Sequence, residues 1–139
     1  MRYMDISLNA WGVVGAAVAY MALGALWYGP LFGKKWQALA GISTGDMSRM
    51  PLTPGQAMGL GFVSSTVMAY VLGAFMQVWG AFTAGDIVRL VFWVWIGFVA
   101  TTQIGSFLWE GKPLKLFVLN ASYSFFAIWL MACILARWA

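Results

Sequence analysis

Read for its apolar and polar positions, the chain falls into four long apolar runs set apart by short polar punctuation. The runs extend from about Leu8 to Tyr28, Pro54 to Trp79, Ala84 to Leu108 and Pro113 to Arg137. Each supplies the roughly 20 mostly apolar residues that a helix needs to cross a bilayer. Period-two alternation, the mark of a barrel strand, is absent, and backbone groups in lipid pair only within helices or closed barrels. The pattern predicts an all-α integral membrane protein with four transmembrane helices, residues 1–139 forming one domain.

The joints carry local signals. Thr53, Pro54 and Gln56 have the spacing of a capping box with proline at the first helical position. Thr83 and Asp86 suit the same role before the third run. Glu110-Gly111-Lys112-Pro113 reads as a tight reversal, with Gly111 as a left-handed stop and Pro113 as a helix start. Spans three and four should therefore be antiparallel neighbours, and an equally short turn, Gly80 to Thr83, joins spans two and three. The long connection is Gly29 to Thr53. Its first part, Pro30 to Ala40, reads as a short interfacial helix with Leu31, Phe32, Trp36 and Leu39 on one side and Lys34 and Gln37 opposite. Lys35 falls on the apolar side and has to snorkel. Gly41 to Pro51, holding Asp46 and Arg49, reads as an irregular surface loop.

Composition agrees with this picture: 63% of residues are hydrophobic and 9% charged, against about 25% charged in soluble domains. A chain of 139 residues cannot bury that much apolar surface in its own core, so the bilayer is its expected partner. The net charge of +4 sits between the apolar runs without forming a stripe. It reads as headgroup contacts and topology signals, and no nucleic-acid partner is expected. Loops one and three carry Lys34, Lys35, Arg49, Lys112 and Lys115, against Arg2, Arg89 and Arg137 on the other side. The positive-inside rule then places loops one and three in the cytoplasm and both termini outside, the expected membrane being the bacterial cytoplasmic membrane. A signal peptide ending near Ala17-Val18-Ala19 is the alternative for the first run. Asp5 in the leading segment and an apolar stretch continuing through Trp27 favour a retained helix.

With no histidine and the single Cys133, the chain offers no His-ligated haem or zinc and no paired-cysteine redox motif, so no cofactor and no metal are expected. Cys133, inside an apolar run, reads as a small buried hydrophobe. Ionisable residues are missing from mid-span; Asp86, Arg89 and Glu110 lie near helix ends. That weighs against a proton-coupled exporter, which needs a carboxylate deep in a helix. Glu110 beside Lys112 reads as a solvated ion pair. Small residues recur at four-residue steps: Gly61, Ser65, Ala69 and Gly73 in span two, Gly97, Thr101 and Gly105 in span three, Gly12 and Ala16 in span one. These stripes should face other helices, within the bundle or in a homo-oligomer.

Uncharged polar residues inside the spans are the best candidates for a site: Trp27, Tyr28, Ser64, Ser65, Thr102, Gln103, Asn120 and Tyr123. An amide in lipid needs a partner. At 1.5 Å per residue, Gln103 lies roughly 8 Å before the end of span three and Asn120 roughly 10 Å into span four. The two amides should come level, in the half of the bundle nearest loops one and three. They form either an interhelical lock, bonding each other, or the floor of a cavity open to that side.

Three stretches resemble a known family. They are Leu26-Trp27-Tyr28-Gly29-Pro30-Leu31-Phe32-Gly33-Lys34-Lys35-Trp36, then Trp95 through Gln103, then Glu110-Gly111-Lys112-Pro113-Leu114-Lys115-Leu116-Phe117 with Asn120 and Tyr123. In that order they are similar to the bacterial membrane-protein family catalogued as domain of unknown function 1761. The resemblance implies four spans in one membrane domain; it supplies no reaction, ligand or site residue. Three function classes stay open: binding or passage of a small amphipathic or apolar molecule such as a lipid, an accessory subunit of a larger membrane complex, and, ranked last, a membrane enzyme relying on Tyr, Ser or a bound cofactor.

Overall fold

The computed structural model describes residues 7–41 and 52–138. Arg2, Asp5 and the loop holding Asp46 and Arg49 lie outside the described residues. The elements run α1 (Ala10–Leu26), a π-helical turn (Trp27–Leu31), α2 (Gly33–Ala40), α3 (Pro54–Trp79), α4 (Ala84–Val94), a second π-helical turn (Trp95–Ala100), α5 (Thr101–Gln103), α6 (Gly105–Trp109) and α7 (Leu114–Arg137). Four helices long and apolar enough to cross a membrane result: Ala10–Leu31, Pro54–Trp79, Ala84–Trp109 and Leu114–Arg137.

The capping chemistry is as the sequence predicts. The Gln56 N–H donates to Thr53 Oγ1 at 3.2 Å, and the Thr53 N–H donates to Gln56 Oε1 at 3.0 Å, closing the box on α3. Thr83 Oγ1 accepts from the Asp86 N–H at 3.3 Å and starts α4. Gly80 and Gly111 both turn the chain with positive φ, 66° and 69°, where a Cβ would strain. Span one starts two residues later than the expected Leu8, at Ala10, because Asn9 caps it: Asn9 Oδ1 accepts from the Trp11 N–H at 2.9 Å. Pro113 lies just outside α7, as its cap, with extended backbone.

Span one also runs past the expected Tyr28. Gly29 leaves helical geometry (φ −108°, ψ −105°) and Pro30 brings no N–H, so the ladder slips by one residue. The Phe32 N–H then donates to the Trp27 carbonyl at 2.9 Å. The interfacial helix accordingly begins at Gly33, not at Pro30. A Cβ on Gly33 would sit 2.7 Å from the Tyr28 carbonyl oxygen, so only glycine lets the chain fold back this tightly.

Helix α7 is the hub. Half of its most apolar window, 50%, is buried, against 22% in each of the other three spans. Both α1 and α4 lie along α7, and α3 packs against α1 and α7. The core joins Val13 and Ala16 of α1, Leu72 and Met76 of α3, Leu90 and Val91 of α4, and Met131 and Leu135 of α7. All these positions belong to the end of the bundle that carries the termini and loop two. Of the small-residue stripes, those of spans one and two face helices: Gly12, Ala16, Ser65, Ala69 and Gly73 are buried. The stripe of span three does not, since Gly97 and Thr101 are exposed and a Cβ at Gly97 would meet nothing.

Span three explains that exception. Its first half, α4, buries Ile87, Leu90 and Val91, whereas α5 and α6 bury no residue. Thr101 Oγ1 donates to the Gly97 carbonyl at 2.8 Å, and Thr102 Oγ1 donates to the Phe98 carbonyl. Hydroxyls bonded back onto the preceding turn bend helices, and here two act in succession beside a π turn. The Trp95 indole, donating to the Ala121 carbonyl at 2.8 Å, holds the hinge to α7. Beyond it α5 and α6 still touch α7 but bury no residue.

Candidate functional site

A cleft of about 740 Å³ lies between spans one and three, floored by α7. It lies at the end of the bundle that carries loops one and three. Tyr20 and Tyr28 enter from span one, Trp36 from α2, Thr102, Gln103, Ser106, Trp109 and Glu110 from span three, and Phe117, Asn120, Tyr123 and Ser124 from α7.

A connected set of hydrogen bonds forms the floor. The Tyr28 hydroxyl donates to Asn120 Oδ1 at 2.7 Å, bonding the end of span one to α7. Gln103 Nε2 donates to Ser124 Oγ at 2.9 Å, and Ser124 Oγ donates to the Asn120 carbonyl at 3.0 Å. The Tyr123 hydroxyl donates to the Tyr20 carbonyl at 2.7 Å. Ring packing holds these groups in place: Tyr28 lies edge-on to Trp36 at 5.4 Å and to Tyr123 at 5.2 Å, and Tyr20 meets Tyr123 at 5.4 Å. Within this set Gln103 Oε1 is buried without a partner. At the rim, Lys112 Nζ reaches the Ala40 carbonyl at 3.5 Å, joining α2 to the third loop. The expected Glu110–Lys112 pair is thus replaced; the ion pair seen among the described residues is Asp86–Arg89 at 3.8 Å.

Of the eight sequence candidates, the structure brings Tyr28, Thr102, Gln103, Asn120 and Tyr123 to the cleft. Gln103 and Asn120 come level as expected, but the amides do not bond each other; Ser124 stands between them. Ser64 is exposed on α3. Ser65 is buried and donates back to the Gly61 carbonyl of its own helix. Span two therefore contributes nothing to the cleft, because α3 packs on the far side of α1 and α7. Trp27 faces a neighbouring groove with Phe32, Lys35, Lys115, Val118 and Phe126, its indole N–H buried without a partner. Sequence reasoning missed Ser106, Trp109 and Phe117 as lining residues. The signal was present: Thr102, Ser106 and Glu110 recur every four residues, and Phe117, Asn120 and Ser124 every three to four.

A family model described as a protein of unknown function, DUF1761, matches residues 11–136. The chain belongs to that family. The matched span takes in all four transmembrane helices but for the end residues Ala10 and Arg137, and every residue of the cleft. No curated protein and no solved structure matches the chain. The family description assigns no chemistry, so the cleft's own geometry is what speaks to the function of this DUF1761 chain.

Proposed function

We propose that this protein binds a small amphipathic molecule in the cleft between spans one and three, in a bacterial cytoplasmic membrane with loops one and three facing the cytoplasm. The observation that carries the reading is the cleft itself. Its volume of about 740 Å³ falls in the range of small-molecule sites, roughly 300–1,000 Å³. Aromatic walls beside a fixed polar floor suit a ligand with one apolar and one polar part. Lipid alone does not account for the floor, because side chains facing acyl tails gain nothing from amides and hydroxyls. A homo-oligomer fits the same reading, with Gly97 and Thr101 on an exposed face that admits close helix approach.

Gly105 provides the test. It lines the cleft, and a Cβ there meets only Trp109 Cδ1, at an ordinary 3.9 Å. Gly105→Leu should occupy the cleft without disturbing the backbone. Native mass spectrometry of protein released from its own membranes should show a bound small molecule on the wild type. The variant, of unchanged stability, should lose it. Equal retention by Gly105→Leu would place the ligand elsewhere and remove the reading.

A further inference from the structure

We infer that the molecule taken by the cleft is an organic cation, an amphipathic ammonium. The inference rests on the cleft being a binding site and specifies its ligand class. Two independent features of the lining lead to it.

The first is charge sorting. Two recesses open side by side at the end of the bundle carrying loops one and three. The groove beside Trp27 holds Lys35 and Lys115 and no acid. The cleft holds Glu110 and no base. Lys112, next to Glu110 but one in sequence, is turned away onto the Ala40 carbonyl. At an end of the protein rich in lysine, the cleft is thus the recess with a negative rim.

The second is the aromatic lining. Tyr20, Tyr28, Trp36, Trp109, Phe117 and Tyr123 all contribute to the cleft. Ring faces attract ammonium groups through their quadrupoles, tryptophan most strongly. The same rings accommodate the apolar body of the ligand, so one lining serves both of its ends.

The test uses three compounds with one body and different heads: 4-phenylbutylammonium, 4-phenylbutanol and 4-phenylbutanoate. Binding to the full chain in nanodiscs of zwitterionic lipid is measured by calorimetry, with empty nanodiscs subtracted. The ammonium should bind saturably, the alcohol more weakly and the carboxylate not at all. Glu110 is exposed, so Glu110→Gln should fold normally and weaken the ammonium about fivefold, the effect of one ion pair at contact distance in water. It should leave the alcohol unchanged. Carboxylate binding as tight as the ammonium, or ammonium binding indifferent to Glu110→Gln, overturns the cationic assignment. The cleft reading survives that result if Gly105→Leu still abolishes whichever compound binds. If none of the three binds saturably, the cleft reading fails and the cationic assignment with it.

Discussion

The hydrogen bonds of the cleft floor predict how three pairs of substitutions will couple. In a bilayer one interhelical hydrogen bond contributes about 0.6 kcal/mol on average and about 1.7 at most. Gln103 donates to Ser124 while its other polar atom, Oε1, already lacks a partner. Ser124→Ala would leave that amide wholly unpaired, so the Gln103→Leu/Ser124→Ala cycle should show coupling of about 1–1.5 kcal/mol, in the upper part of that range. Tyr28 donates to Asn120 at 2.7 Å, but Asn120 borders the open cleft, where water can replace the lost hydroxyl. The Tyr28→Phe/Asn120→Leu cycle should give about 0.5–1 kcal/mol. Gln103→Leu and Asn120→Leu should be additive within about 0.5 kcal/mol. Their link runs through Ser124 to the Asn120 backbone carbonyl, which the Asn120 substitution leaves in place. Equilibrium unfolding by steric trapping in bicelles measures each cycle. Coupling above about 1 kcal/mol between Gln103 and Asn120 would mean that the amides bond directly, and the geometry described here would be wrong.

Two further outcomes follow from the backbone and the charges. Gly33→Ala places a Cβ against the Tyr28 carbonyl, at 2.7 Å from an oxygen that cannot step aside; stability in the same unfolding assay should fall by about 1–3 kcal/mol, and a loss under about 0.5 kcal/mol would mean the turn is looser than described. Reporter fusions at Met1 and Ala139 should locate both termini outside the cytoplasm; opposite compartments would contradict four crossings, and two cytoplasmic termini would reverse the orientation.

Spans, caps and turns were legible because each rests on a local rule: twenty apolar residues, a Thr53–Gln56 box, a glycine at the end of a helix. The cleft was half legible. Gln103 and Asn120 were found by counting 1.5 Å steps from a tight turn, which works while helices stay straight. The missing half concerns where helices go. Nothing in the spacing of Ser64 and Ser65 tells that α3 packs on the far side of α1 from the cleft; helix order around a bundle is decided by tertiary packing. Placing Trp27 in the site overlooked the rotation between neighbours on a helix. Successive residues point about 100° apart at 3.6 residues per turn, so Tyr28 and Trp27 face different recesses. Gly29-Pro30 announced a break in the sequence, but not its form.

The departures from regular structure are concentrated in one half of the molecule. At the end carrying the termini, the helices are regular and the core packs around Met76, Val91 and Met131, with a recess of about 340 Å³ beside Met76. At the other end lie the π turn of span one, the back-bonded Thr101 and Thr102, and the break between α5 and α6. Among the described residues, the two unpartnered buried polar atoms, on Trp27 and Gln103, are there as well. Defects of this kind cost stability wherever they occur, and here they lie beside two neighbouring recesses. Sequences that satisfy local rules elsewhere usually break them at functional sites. A purely structural polar lock would be served best by direct bonds and no orphaned acceptor. Gln103, held to Ser124 through Nε2, carries a buried unpaired oxygen that such a lock would not need.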